Sequence, residues 1–313
     1  MIATEPLLFA GSSNPSLAYE ITRALSLPLG NMSLEQFPDG ETSVQILENV
    51  RGRDTFVIQS IALNPNFYLM ELLIIIDALR RASAKNIVAL LPYFGYCRQD
   101  RKDKARVPIT AKLVANLLVE AGATRILAVD LHAGQLEGFF DIPVDHIHCY
   151  KLLVDAIKEC YSSHNTIVVA PDIGSVKIAR AFATLLDVDI AVIDKQRSDP
   201  HRVQMALIGN VTGMQVLIAD DICSTGETLA QAAQLCREKG CASVIGAITH
   251  GLLVEQAVEK VQNSPLEVLF TTDTIPIAGR IGAMPKLRCI STGQLLARAI
   301  HSIVFNESIR ALC

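Results

Sequence analysis

A chain of 313 residues is too long for one ordinary core and suits two domains of about 150 residues each. With 50% apolar and 19% charged residues, it has the composition of a globular protein with material for two cores. A net charge of −4 and the lack of Trp give no basis for nucleic-acid binding, and the most apolar run, residues 68–79, is short and holds Glu71 and Asp77, so no membrane span is expected. In chain order, the spacing predicts strands at 7–10 and 55–59, a helix at 66–82, a strand at 87–92, a helix at 109–121 and a strand at 126–130. The second half continues with strand 166–170, helix 176–186, strands 190–193 and 216–219, helix 228–239, strands 243–249 and 268–271, and a last helix near 294–305.

Strands alternating with helices of this length predict an α/β fold of mostly parallel sheets flanked by helices. Near-continuous apolar runs such as IVALL fit strands covered on both sides. The stretches LLIIIDALRRASAKNIVALLPYFG and LAQAAQLCREKGCASVIGAITHGLL echo one another, which points to two related domains. Their limits are expected at 1–147 and 148–293, with residues 294–313 packing back on the first. Eight cysteines (97, 149, 160, 223, 236, 241, 289 and 313) form no CxxC pair and no zinc-spaced cluster. The opening MIATEPLLFAGSSNP lacks a basic region followed by a long apolar one, so a signal peptide is not expected. Reduced thiols and a cytoplasmic protein follow from these two observations.

Open α/β sheets collect ligands at the carboxyl ends of their strands. FPDGE (37–41) is by itself a Pro-Asp-Gly turn that exposes Phe37, Asp39 and Glu41. RQDRKDKAR (98–106), with five bases and two acids, alone reads as a solvated basic turn. DLHAGQLEGFF (130–140) ends an apolar strand and brings His132 to the ligand edge. A lone His there is usually structural, but Asp172 in PDIG (171–174), after the next strand pattern, turns the pair toward a divalent cation such as magnesium. DKQR (194–197) carries Lys195 and Arg197 on a polar stretch that runs on to Arg202 and is expected to be mobile.

The segment VLIADDICSTGET (216–228) carries the most chemistry. It is expected to run from a strand into a loop with Asp220, Asp221, Ser224, Thr225, Gly226, Glu227 and Thr228, and then into a helix. Small residues let backbone N–H groups converge on a phosphate, and the helix N-terminus adds a favourable field. The two carboxylates can accept hydrogen bonds from vicinal ribose hydroxyls. The competing reading is a capped helix after an acidic turn, but a cap needs only one Ser or Thr and one acid.

This loop resembles the one that binds phosphoribosyl diphosphate (PRPP) in phosphoribosyltransferases and PRPP synthetases. FPDGE, RQDR, DLHAGQLEGFF, PDIG and DKQR, in this order and spacing, resemble ribose-phosphate pyrophosphokinase (PRPP synthetase) from about residue 7 to GQLLARAI near the C-terminus. Transferases lack FPDGE and RQDR. The resemblance implies two related phosphoribosyltransferase-like domains, an ATP side in the first and a ribose 5-phosphate side in the second. It implies transfer of the diphosphoryl group of ATP to O1 of ribose 5-phosphate, giving AMP and PRPP for nucleotide biosynthesis. ATP binding falls to Phe37, Asp39, Glu41, Arg98, Gln99 and Asp103, and ribose 5-phosphate binding to Asp220, Asp221, Ser224, Thr225, Gly226, Glu227 and Thr228. His132 and Asp172 become residues associated with Mg2+, and Lys195 and Arg197 the catalytic cations. The family's FPDGE loop crosses to a neighbouring subunit, which implies a dimer-based homo-oligomer, dimer or hexamer, with a shared ATP site and Phe37 against adenine.

Two departures stand out. Ser224 replaces an acid carried by many synthetases, and Glu227 occupies a position that is often small, so its carboxylate is expected to point away while its N–H faces phosphate. The C-terminal NESIRALC replaces a Ser-rich end, which leaves phosphate activation and ADP inhibition open. A phosphoribosyltransferase and a non-catalytic, synthetase-like regulatory subunit are the other readings. Intact His132, Asp172, Lys195 and Arg197 argue for activity.

Overall fold

The computed structural model describes residues 5–162, 164–199, 202–277, 282 and 284–312, with the side chains of 196–199, 202–204 and 311 outside the description. The chain forms two compact units: Met1–His148 with Thr274–Pro276 and Ser291–Cys313, and Cys149–Asp273 with Ile277–Ile290.

The first unit runs β1 (Leu7–Ala10), α1 (Pro15–Leu25), β2 (Met32–Gln36), β3 (Thr42–Ile46), β4 (Asp54–Ile58), α2 (Pro65–Arg81), β5 (Asn86–Leu91), α3 (Thr110–Ala121), β6 (Arg125–Val129) and β7 (Val144–Ile147). A parallel sheet has the order β1-β4-β5-β6-β7, and β2 and β3 form a separate antiparallel hairpin. Asn14 starts α1 by accepting the Leu17 N–H, and Pro15 follows at a position where a missing N–H breaks no bond. Glu71 on α2 is buried but satisfied. It accepts from the Ser12 N–H and Oγ, both at 2.7 Å, and from Gln59 Nε2 at 2.6 Å.

The second unit runs α4 (Tyr150–Cys160), β8 (Thr166–Ala170), α5 (Val176–Leu186), β9 (Ile190–Asp199), β10 (Arg202–Ile208), β11 (Gln215–Cys223), α6 (Glu227–Glu238), β12 (Ser243–Gly251), α7 (Ala257–Asn263), β13 (Val268–Thr272) and β14 (Leu287–Ile290). Its sheet order is β10-β9-β8-β11-β12-β13-β14, parallel except for the β9–β10 pair. Side chains alternate between two buried faces. Ile167, Val169, Val216 and Ile218 pack with α6 and α7, whereas Val168, Ala170, Leu217 and Ala219 pack with α4 and α5. Both faces being covered explains the unbroken apolar runs. The last helix, α8 (Gly293–Val304), packs on α1 in the first unit. Gly293 permits that approach, because a Cβ there would lie 2.7 Å from Glu20 Cβ.

Two expectations need correction. The strand predicted to end at 219 continues through Cys223, because β12 keeps pairing with it: Asp220 lies opposite Ile248, Ile222 opposite His250 and Cys223 opposite Gly251. Asp220 and Asp221 are therefore strand residues, and only 224–226 form the loop. The polar stretch after Asp194 continues the strand predicted to end at 193. β9 reaches Asp199 and pairs with β10, placing Lys195 opposite Met205 and Arg197 opposite Val203; residues 200 and 201 lie outside the described residues. An edge hairpin satisfies its backbone without apolar alternation, so the pattern carried no strand signal. Among the described residues, no helix is long and apolar enough to cross a membrane, and the described cysteines are free thiols.

Candidate active site

In the second unit the chain order reverses between β8 and β11. β8 leads through α5 to β9 on one side, and β11 to β14 build outward on the other. Loops leaving the carboxyl ends of such a strand pair diverge to opposite faces and open a crevice. Asp172 lies in the turn after β8, and Ser175, 4% exposed, immediately precedes α5. The Ser175 N–H donates to Asp172 Oδ1 at 3.0 Å. Its Oγ stands 3.0 Å from the same oxygen and 2.7 Å from Asp220 Oδ1 on β11. The Asp221 N–H donates to Asp220 Oδ1 at 3.0 Å, and Asp221 itself is buried. One serine thus laces together the two strand ends at the reversal.

A hydroxyl has one proton, so Ser175 can donate to only one of the two carboxylates. Burial, and then the neighbouring Asp221 carboxylate, push the Asp220 carboxyl up to about 8. Asp220 is then the protonated partner at neutral pH. Because the folded pKa lies above the unfolded value, native Asp220 binds more protons than the unfolded chain between about pH 4 and about pH 8. Its contribution to stability is full below that window and is lost as pH rises through it. Asp220→Asn keeps the shape but cannot ionise. Its gain in melting temperature over the wild type is expected to be smallest at pH 4 and to grow towards pH 8. A gap that does not change with pH would contradict the shifted carboxyl.

Gly226 sits at φ +74 and caps α6, with no side-chain cap. Neither Ser224 nor Thr225 makes the capping bond that a purely structural role would require. The first amides of a helix lack intrahelical acceptors, and the field there favours an anion. The Glu227 carboxylate is already committed: Oε2 meets Lys260 Nζ at 2.7 Å, and Oε1 accepts from Gln231 Nε2 at 2.6 Å. The bond from Lys260 holds the Glu227 pKa low, and the charge of Lys195 adds to it. Glu227 can therefore serve an anion only through its N–H. The half-buried Lys195 lies within electrostatic reach of the start of α6. Arg197 shares its strand face by the two-residue repeat, and its side chain lies outside the described residues.

In the first unit, FPDGE forms the tip of the β2–β3 hairpin. The Phe37 N–H donates to the Glu41 carbonyl at 2.8 Å, and Gly40 takes φ +96. Phe37 is 54% exposed, and Asp39 and Glu41 are exposed beside it. Arg98, Gln99 and Asp103 are exposed on the segment after β5. The Gln99 carbonyl accepts the Ala111 N–H, which ties this segment to the start of α3. His132 is exposed in the turn after β6, and Gln135 Nε2 donates to Asp100 Oδ2 at 2.8 Å, so the two neighbouring loops are joined. His132 belongs to the first unit and Asp172 to the second.

Some residues of both loops escaped the sequence reading. Nothing in the pattern marked Ser175 or Lys260. Asp130, His146 and His148 bring ligand atoms within 4.8 Å of one another. Neither histidine was singled out, although VDHIH places them at strand spacing on one side.

Comparison with known proteins gives a consistent result. A family model described as the N-terminal domain of ribose phosphate pyrophosphokinase matches residues 7–122, and one described as the phosphoribosyl synthetase-associated domain matches residues 196–313. The chain is 47% identical over 309 residues to a ribose-phosphate pyrophosphokinase of Marinomonas sp. (strain MWYL1), covering 98% of each. It is 48% identical to one from Rhizobium meliloti (strain 1021), covering 97% of this chain and 99% of the relative. A crystal structure of phosphoribosylpyrophosphate synthetase from Mycobacterium smegmatis superposes with a TM-score of 0.92 at 41% identity, over 97% of this chain and all of the other.

Proposed function

The chain belongs to the ribose-phosphate pyrophosphokinase family, and from that premise we propose how its residues divide the reaction. The reaction is transfer of the diphosphoryl group of ATP to O1 of ribose 5-phosphate, giving PRPP and AMP. The observation that carries the acceptor side is the Ser175 bridge between Asp172 and Asp220 at the strand reversal. Asp220 and Asp221 accept hydrogen bonds from the ribose hydroxyls. Ser224 and Thr225, the left-handed Gly226, and the first amides of α6 at Glu227 and Thr228 hold the 5-phosphate.

On the donor side, Arg98 neutralises triphosphate oxygens, Gln99 contacts the nucleotide, and Asp103 accepts from the adenine amine. Lys195 and Arg197 neutralise charge that grows on the diphosphoryl group in flight. Phosphoryl transfer needs little covalent help beyond such alignment and charge.

The donor set suits magnesium. Asp172, Asp220 and Asp221 are hard oxygen ligands; burial, and then the Asp221 charge, raise the Asp220 carboxyl, and a cation would offset both. His132 and Asp172 are assigned as the magnesium-associated residues. When bound, the ion supplies Lewis-acid neutralisation of phosphate oxygens. No step assigned here calls for nucleic acid or a membrane, and the composition fits a cytoplasmic protein.

Phe37, Asp39 and Glu41 reach ATP from a neighbouring subunit of a dimer-based homo-oligomer. Mixing two weak variants tests that sharing. Phe37→Ala subunits combined with Lys195→Ala subunits are expected to regain activity, because a mixed pair assembles an intact site from one lysine and the neighbour's phenylalanine. No recovery after subunit exchange would mean that each subunit completes its own site.

A further inference from the structure

His146 on β7 and His148 just after it reach the loop leaving β6, and neither has a part in the reaction as assigned. The His146 side chain is 10% exposed. Its Nε2 accepts the Leu131 N–H at 2.8 Å, and its Nδ1 lies 2.8 Å from Glu137 Oε1. A ring nitrogen that accepts from an amide carries no proton. The imidazole is therefore the neutral tautomer whose Nδ1–H donates to Glu137. Burial, followed by the neighbouring His148, lowers its pKa, in keeping with a neutral ring. His148 lies beside it, with ring centroids 4.3 Å apart, and its Nδ1 is 2.7 Å from Asp130 Oδ1.

The clustering of Asp130, His146 and His148 has the look of a metal site. The hydrogen bonds argue otherwise for His146. Both of its nitrogens are engaged, and a cation could bind only by breaking the bond to Leu131. The ring is built to hold backbone.

The backbone it holds is strained. Asp130 has φ +35, on the left-handed side that residues with a Cβ rarely visit. The Asp130 N–H donates to the Ile147 carbonyl at 3.0 Å, and the next N–H, that of Leu131, goes to His146. Two successive amides are thus pinned to β7 and its side chain, and His132 follows directly. The torsions between them decide where the His132 ring stands.

We propose that His146, with its tautomer fixed by Glu137, is a positioning residue that holds the Asp130–Leu131 turn and thereby sets His132 for its cation. This inference rests on the reading of His132 as magnesium-associated. Hydrogen-bond partners behind a metal-associated group typically change metal affinity by about 10–100-fold.

The test is equilibrium binding of Mn2+ alone to the full chain, read by loss of the free-ion paramagnetic resonance signal without nucleotide or turnover. His146→Phe is expected to weaken Mn2+ binding by about tenfold. His146→Gln, whose amide can accept from Leu131 and donate to Glu137, is expected to return to within about twofold of the wild type. Glu137→Ala, at a half-exposed position that does not endanger the fold, should weaken binding in the same direction. Wild-type affinity in both His146→Phe and Glu137→Ala overturns the proposal, as does a His146→Gln variant no better than His146→Phe. His132→Ala separates the two layers. If it binds Mn2+ as the wild type does, or if the wild type shows no saturable site, the cation reading falls and takes the proposal with it. If only His132→Ala weakens binding, positioning by His146 alone is refuted.

Discussion

Lys195→Ala and Arg197→Ala are each expected to lower kcat by about 10²–10³-fold, while the KM values for ATP and ribose 5-phosphate move by less than about threefold. The two residues stand at i and i+2 on β9, whose backbone pairs with β10 there. Lys195 acts electrostatically on Glu227 at the start of α6, the same helix terminus assigned to the 5-phosphate. Its charge therefore acts where anions gather. A cation fixed in that position stabilises charge that builds in the transition state more than charge already present in the bound substrate, so the loss falls on rate. Two exposed cations on a strand face would give no such effect. Steady-state kinetics on the single variants checks this, and changes confined to KM would contradict a catalytic role.

Asp221→Ala is expected to raise the KM for ribose 5-phosphate by about 100-fold and to leave the KM for ATP within about threefold. Hydrogen bonds to a charged group contribute about 1.5–3 kcal/mol each, and about 2.7 kcal/mol corresponds to 100-fold in affinity. Removing Asp221 has a second consequence. Its charge is one of the causes that raise the Asp220 pKa, so Asp220 ionises at lower pH in the variant. Part of the lost binding should then return as pH is raised, because the remaining carboxylate becomes the stronger acceptor. An effect shared equally between ATP and ribose 5-phosphate would point to damage to the fold.

The parallel sheets were legible because their strands are buried on both faces. IVALL and VLIA announce themselves as unbroken apolar runs, and α5 begins and ends where the 3.6-residue pattern places it. The β9–β10 hairpin was not legible. DKQRSD has no apolar alternation, and its strand character comes from an antiparallel partner supplied later in the chain. The end of β11 was misread for a related reason: Asp-Asp looks like a loop, but pairing with β12 holds it extended. At the site, Asp172, Asp220 and Asp221 could be singled out because acids after apolar strands are conspicuous. Ser175 could not. A serine before a helix is common, and only the strand order shows that this one joins two strand ends. His146 was invisible as well, because its role depends on which amide its ring meets.

In the proposed reaction, the reversal between β8 and β11 holds ribose 5-phosphate through Asp220, Asp221 and the amides opening α6. Calorimetric titration of ribose 5-phosphate, with magnesium and no nucleotide, into the wild type and Asp221→Ala tests it most directly. One saturable site per chain is expected in the wild type and an affinity about 100-fold weaker in the variant, with ATP titrations unchanged. Equal affinity for ribose 5-phosphate in the two proteins would contradict it.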